Sequence, residues 1–176
     1  MKAENCPTKT NASNTLILFG IKSTPSRVRM RSAIRSTWLN RQNWKFDSRI
    51  EVHSIFLLGH EADIFGLEAE SEIYKDLVQS DFHESHYNLS IKDHDFFNFI
   101  VEQCPHLDFA VKGDDDVLIV PQNLAMLIEK LNLSRVIQMR QICHSRTVLF
   151  FILIGPHLGR MTIGQNKFLE SYFFQK

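Results

Sequence analysis

The chain has 176 residues, with 20 Lys and Arg against 20 Asp and Glu and 44% hydrophobic residues, enough for one core but short for two domains. Seven glycines, five prolines and 23% charged residues are ordinary globular usage, which excludes wholesale disorder, and the formal charge of zero removes the basic surplus that a nucleic-acid binder needs. The longest apolar run, Val148 to Ile154, falls well short of the roughly 20 residues that cross a bilayer, and residues 1–14 hold no apolar stretch of signal-peptide length.

Thr15 to Ile21 is a nearly continuous apolar run, as expected of a strand buried on both faces. Thr24-Pro25 offers an N-cap with proline at the first helical position. Met30, Ala33, Ile34, Thr37 and Trp38 then recur at helical spacing, with Arg27, Arg31 and Arg35 as a stripe beside that face. A second strand spans Ile50 to Leu58 and ends at Gly59. Glu61 to about Tyr74 reads as a polar helix, and Asp76 to Phe82 as either a short strand or its continuation. From Asn88 a helix is predicted with Phe97, Ile100, Val101 and Cys104 on one face, stopped by Pro105. Leu107 to Val111 reads as strand, Gly113-Asp114-Asp115-Asp116 follows, and Val117 to Val120 reads as strand again. Pro121 opens a helix with Leu124, Leu127, Ile128 and Leu131 on one face and Asn132 at its end. After Asn132 the pattern is lost.

Alternating strands and helices predict an α/β domain with a mostly parallel sheet, in which ligands sit beyond the carboxyl ends of the strands. The arginine stripe and the aspartate run both follow strand ends. Cys6, Cys104 and Cys143 leave at least one thiol unpaired, and their spacing matches neither a zinc site nor a disulfide framework. Three Asn-x-Ser sequons, at Asn11, Asn88 and Asn132, accept glycans only in a secretory compartment.

Asp114-Asp115-Asp116 is the sharpest chemical feature. On an extended backbone the carboxylates at i and i+2 lie on one side roughly 6.6 Å apart, near enough to share a hard cation; the competing reading is a solvated acidic turn. Counted from Asp114, the fifth, sixth and twelfth positions are Leu118, Ile119 and Ala125, which excludes an EF-hand loop. No Walker loop and no Gly-x-Gly-x-x-Gly turn occurs, so phosphates would be held by a metal and side chains. The Arg27, Arg31, Arg35 stripe suits an anionic ligand, or else is a solvated helix face. His83, His86 and His94 lack metal-motif spacing.

Taken in order, Ile21-Lys-Ser-Thr-Pro25, Arg31-Ser-Ala-Ile-Arg35-Ser-Thr-Trp38, Ile55-Phe-Leu-Leu-Gly59, Glu70 with Tyr74-Lys-Asp76, Asp81-Phe82 through Asn88-Leu-Ser-Ile-Lys92, Cys104 and Lys112-Gly-Asp-Asp-Asp-Val117 resemble the β1,3-galactosyltransferase and β1,3-N-acetylglucosaminyltransferase family of Golgi enzymes. The resemblance covers about residues 15–132. Met30 stands where the family has arginine, Glu84 where it has aspartate, His86 for an aromatic and Ser90 for threonine.

The resemblance implies a GT-A-like nucleotide-sugar-binding fold, apparently truncated: a tail over 1–14, the donor-binding half of a glycosyltransferase domain over 15–132, and a divergent segment over 133–176. It implies a hexosyltransferase of protein or lipid glycosylation. Such an enzyme transfers galactose or N-acetylglucosamine from a UDP-sugar to a glycan acceptor in β1,3 linkage, with inversion. The cofactor implied is Mn²⁺ or another divalent cation. Carried over, Asp114 and Asp116 hold the metal and diphosphate, Asp115 lies near the ribose, and Arg31 and Arg35 line the nucleotide-sugar site. The base carboxylate that inversion needs has no counterpart in residues 133–176. The implied location is the lumenal side of the Golgi membrane, with the anchor upstream of Met1. Two other readings stand beside this one: a nucleotide-sugar binder or inactive fragment without transfer, and a phosphoryl-transfer enzyme using the aspartates.

Overall fold

The apolar run that begins at Thr15 becomes the centre of a sheet. The computed structural model describes residues 6–45, 47–62, 64–131, 140–144 and 147–153. Among them, β1 (Thr15–Lys22) pairs in parallel with β2 (Ile50–His60) on one side and β4 (Phe109–Asp114) on the other. β3 (Leu77–His83) adds in parallel to β2. β6 (Thr147–Leu153) pairs antiparallel with β4, and β5 (Arg140–His144) antiparallel with β6. The order is β3-β2-β1-β4-β6-β5, so four neighbouring strands are parallel, as the alternating pattern predicts. The chain moves outward from β1 to β3 and then returns to the other side of β1 with β4. That reversal is a topological switch point, beyond whose carboxyl strand ends sheets of this kind form their ligand crevice.

The two-faced burial of β1 produces layers on both sides. Ile17, Phe19 and Ile21 face one core, which holds Ile34 and Trp38 of the α1 segment (helix Val28–Ser36), Leu67 of α2 (Leu67–Tyr74) and Leu124 and Ile128 of α4 (Pro121–Leu131). Leu16 and Leu18 face the other, which holds Phe96 and Ile100 of α3 (Leu89–Gln103). The α3 layer sits close because Gly20 has no side chain: a Cβ there would lie 2.4 Å from the Phe96 ring. No helix among the described residues is long and apolar enough to cross a membrane.

Several elements depart from the sequence expectation. The first helix starts at Val28 and not at Pro25, because the carbonyls of Thr24 and Pro25 are turned onto the Arg31 guanidinium. Its buried face is Arg31, Ile34 and Trp38, one step round from Met30, Ala33 and Thr37. Residues 61, 62 and 64–66 are loop, and the following helix begins only after Gly66, whose φ of 86° ends the loop in a left-handed turn. Residues 77–83 are strand. In α3 the buried residues are Lys92, Asp93, Phe96 and Ile100, while Val101 is 51% exposed. Val117 to Val120 is not a strand; Val117 and Ile119 are buried while Leu118 is 75% exposed, so an in-and-out loop imitates strand alternation. The apolar run near residue 150, unassigned from sequence, is β6 and closes against β4.

Cys6 and Cys104 form a disulfide with Cα atoms 5.3 Å apart and a sequence separation of 98, a pairing that spacing alone did not reveal. It ties the N-terminal segment to the end of α3, and closing a loop of that length removes roughly 4 to 5 kcal/mol of chain entropy from the unfolded state.

Replacing Gly20 with alanine forces a methyl into the Phe96 ring. We expect Gly20→Ala to lower unfolding stability by about 1–3 kcal/mol, measured by denaturant titration with the disulfide intact; an unchanged midpoint would show that α3 does not depend on this close approach.

Candidate functional site

The parallel register of the central strands fixes what meets at their carboxyl ends. Lys22, the last residue of β1, is the pairing partner of Asp114, the last residue of β4. Lys22 Nζ lies 3.0 Å from Asp114 Oδ1. One residue on, the Ser23 hydroxyl donates to Asp115 Oδ2 at 2.7 Å, and the Asp115 amide donates to the Lys22 carbonyl at 3.1 Å.

Beyond Asp114 the backbone turns, with the Val117 amide donating to the Asp114 carbonyl at 3.3 Å. The extended spacing assumed for the aspartate run therefore does not apply. The turn sorts the three carboxylates: Asp115 is 3% exposed and points inward, whereas Asp114 is 48% exposed and Asp116 is exposed. Asp115 also pairs with Arg27 at 3.1 Å. Burial pushes its carboxyl above the usual range, while Ser23 and Arg27 pull in the opposite direction.

Behind the crevice lies a second network. Arg31 is fully buried and spends all five of its donors on the protein: two reach Glu70 at 2.8 and 2.6 Å, one the Ser23 hydroxyl at 3.2 Å, and two the carbonyls of Thr24 and Pro25 at 2.5 and 3.1 Å. Arg35 forks onto Asp76 at 2.8 and 2.7 Å and reaches Glu70 at 2.8 Å. Its guanidinium lies 3.9 Å from the Tyr74 ring centroid and 4.8 Å from that of Phe56. The sequence stripe thus splits by depth. Arg27 faces the aspartates, Arg31 holds the turn that carries Ser23 from inside, and Arg35 braces Glu70 and Asp76 behind it. Burial raises the Glu70 carboxyl, but the hydrogen bonds from Arg31 and Arg35 outweigh it and hold the group below the ordinary carboxylate value.

Pattern reading missed two further ion pairs. Lys92 of α3 donates to the Ser23 carbonyl at 2.5 Å and pairs with Glu84 at 2.7 Å, and Glu84 in turn accepts from the Gly59 amide at 2.7 Å. Lys112 of β4 pairs with Asp93 at 2.5 Å. Burial pulls both ammonium groups below the usual lysine range, against the opposing acids. The available signal was periodicity: Lys92, Phe96 and Ile100 share one helical face, so a lysine on the apolar stripe marked a buried ion pair.

The exposed pair Asp114 and Asp116 fits a divalent cation that takes one or two carboxylates and fills its remaining positions with water and substrate phosphates. A cage supplied by the protein alone does not fit, since no group of three metal-ligating side chains gathers among the described residues. His83, His86 and His94 join no such cluster.

The sequence model of the galactosyltransferase family matches residues 29–150. The chain is 35% identical over 127 residues to rat UDP-GalNAc:beta-1,3-N-acetylgalactosaminyltransferase 1, covering 69% of this chain and 38% of that protein. It is 33% identical over 129 residues to mouse lactosylceramide 1,3-N-acetyl-beta-D-glucosaminyltransferase, covering 70% and 34%. With human N-acetyllactosaminide beta-1,3-N-acetylglucosaminyltransferase 4 it shares 37% identity over 118 residues, covering 65% and 31%. The matched stretch is thus less than two fifths of each relative's length. A solved human methyltransferase 10 domain containing protein aligns over 84% of this chain and 75% of its own at 12% identity and a TM-score of 0.31, too low to bear on the fold.

Removing the Glu70 charge leaves buried Arg31 without its acid. We predict that Glu70→Gln lowers stability by about 3–5 kcal/mol at neutral pH. Because the Glu70 carboxyl is held below its ordinary value of 4.5, its contribution is present above that pH and is lost as pH falls through the lowered value. Acid titration of unfolding should therefore show a shallower loss below pH 4.5 in the variant than in the parent; parallel curves would contradict the assignment.

Proposed function

The chain belongs to the galactosyltransferase family, and we propose that it forms the donor-binding portion of a UDP-sugar-dependent β1,3-hexosyltransferase of protein or lipid glycosylation. The observation that carries this reading is that Asp114 and Asp116 stay open to solvent at the switch point while Asp115, between them, is held inward by Ser23 and Arg27. In this reading the two outward carboxylates hold Mn²⁺ or a similar cation together with the donor diphosphate. When bound, the cation neutralises the negative charge that develops on departing UDP. Asp115 keeps the turn in place through Ser23 and Arg27, and Arg31 and Arg35 act as positioning residues from behind the crevice.

The names of the relatives specify N-acetylgalactosamine and N-acetylglucosamine transfer in β1,3 linkage, which supports a hexose or N-acetylhexosamine donor in this reading. Inverting transfer requires a carboxylate to take the acceptor hydroxyl's proton, a role we assign to no residue. The Cys6–Cys104 disulfide and the sequons support a lumenal, oxidising location such as the Golgi.

Calorimetric titration of the whole chain with UDP, with and without Mn²⁺, tests the donor site. Binding that needs Mn²⁺ and is lost in Asp114→Ala/Asp116→Ala is expected. A folded chain that binds UDP equally well without metal, or binds none, would sink the assignment. Release of UDP from UDP-galactose or UDP-N-acetylglucosamine in the presence of a glycan acceptor then separates transfer from binding alone.

A further inference from the structure

Lys22 occupies an unusual position for a strand-terminal lysine. Its side chain is mostly buried, its Nζ lies 3.0 Å from Asp114 Oδ1, and on its other flank Asp93 Oδ1 lies 3.9 Å away. That Asp93 oxygen is buried and accepts no hydrogen bond, although the other oxygen of the same carboxylate pairs with Lys112 at 2.5 Å. A buried carboxylate oxygen without a donor is costly. Lys22 is therefore placed between two acceptors and holds only one of them at hydrogen-bonding distance.

We propose that Lys22 is a tethered cation that occupies Asp114 when no metal is bound and passes to Asp93 Oδ1 when a divalent cation takes Asp114. The inference rests on the reading of Asp114 as a metal ligand and adds how that ligand is kept before the metal arrives. The ammonium screens the carboxylate, which otherwise sits beside Asp115 and Asp116 with no counter-charge of its own. The handover is short, since Nζ needs to close only the gap from 3.9 Å to an ordinary hydrogen-bond length, and it satisfies the orphaned oxygen. Occupancy of Asp114 by Lys22 then competes with the metal, so the cation binds against an internal rival.

The test is a calorimetric titration of Mn²⁺ in the presence of saturating UDP on the full chain, comparing the parent with Lys22→Met and with Lys9→Met. Lys9 is the control because it is also a paired lysine, 2.6 Å from Asp108, but at the amino ends of the central strands, away from the aspartate turn. We expect Lys22→Met to bind Mn²⁺ about three- to fivefold more tightly, the loss of a partly exposed ion pair, and Lys9→Met to change affinity by less than about twofold. An equal or weaker affinity in Lys22→Met overturns the proposal, as does an equal gain in Lys9→Met, which would reflect the net charge and not competition at Asp114. If neither the parent nor Lys22→Met takes up Mn²⁺, the metal reading of Asp114 falls and this inference falls with it. If the parent binds and Lys22→Met gains nothing, the metal reading stands alone.

Discussion

Every polar group of Ser23 is engaged, and the crevice depends on it. Its amide donates to the Leu57 carbonyl of β2, its carbonyl accepts from Lys92 of α3, and its hydroxyl accepts from Arg31 of α1 while donating to Asp115 after β4. One small residue at the end of the central strand thereby links the neighbouring strand, a helix from each layer and the aspartate turn. A hydroxyl has one proton to give, and here it goes to Asp115, which leaves the oxygen free to accept from Arg31. The donors are thus fixed throughout: Arg31 gives to both Glu70 and Ser23, and Ser23 gives to Asp115.

The same arrangement explains why so many ions are buried here. Arg31, Lys92 and Lys112 are each at most 1% exposed, and removing an ion from water costs several kcal/mol that a single partner rarely recovers. Each of the three is matched by an acid and, for Arg31 and Lys92, by backbone carbonyls as well. Apolar residues of similar volume would fill the space at less electrostatic cost. What they could not do is fix a carbonyl and a hydroxyl in defined orientations. The buried charges serve geometry at the strand ends more than stability.

The sheet and its layers were legible because two-faced burial of the central strand shows directly as the unbroken run Leu16-Ile-Leu-Phe-Gly-Ile21. The motif residues of the resemblance were legible as a set without a reason. The structure supplies the reason for Glu70, Tyr74 and Asp76: they are the acids and the aromatic face that hold Arg31 and Arg35. Helical faces were read in part: Ile34, Trp38, Ile100 and Cys104 are buried as expected, but a scan for apolar residues steps over Arg31 and Lys92 and takes in Ala33, Thr37 and Val101, which are exposed. The loop Val117 to Val120 passed for a strand because alternation of burial does not require a ladder of hydrogen bonds. The Cys6–Cys104 link depends on a contact across 98 residues, and spacing carries no information about that.

Charge at the crevice bears on why a cation belongs there in the proposed reading. Formally, Lys22, Arg27, Lys92 and Lys112 meet Asp93, Glu84, Asp114, Asp115 and Asp116, four positive groups against five negative. The buried members cancel in pairs, Lys92 with Glu84 and Lys112 with Asp93. Arg27 likewise offsets the inward Asp115, and what faces the opening is Lys22 against Asp114 and Asp116, a net negative rim that repels a diphosphate. One divalent cation reverses that sign and leaves the rim attractive to an anionic donor. A basic phosphate cradle would need no such ion. The chain has instead turned Arg31 and Arg35 inward and set carboxylates outward, an electrostatic arrangement suited to taking an anion only in company with a metal.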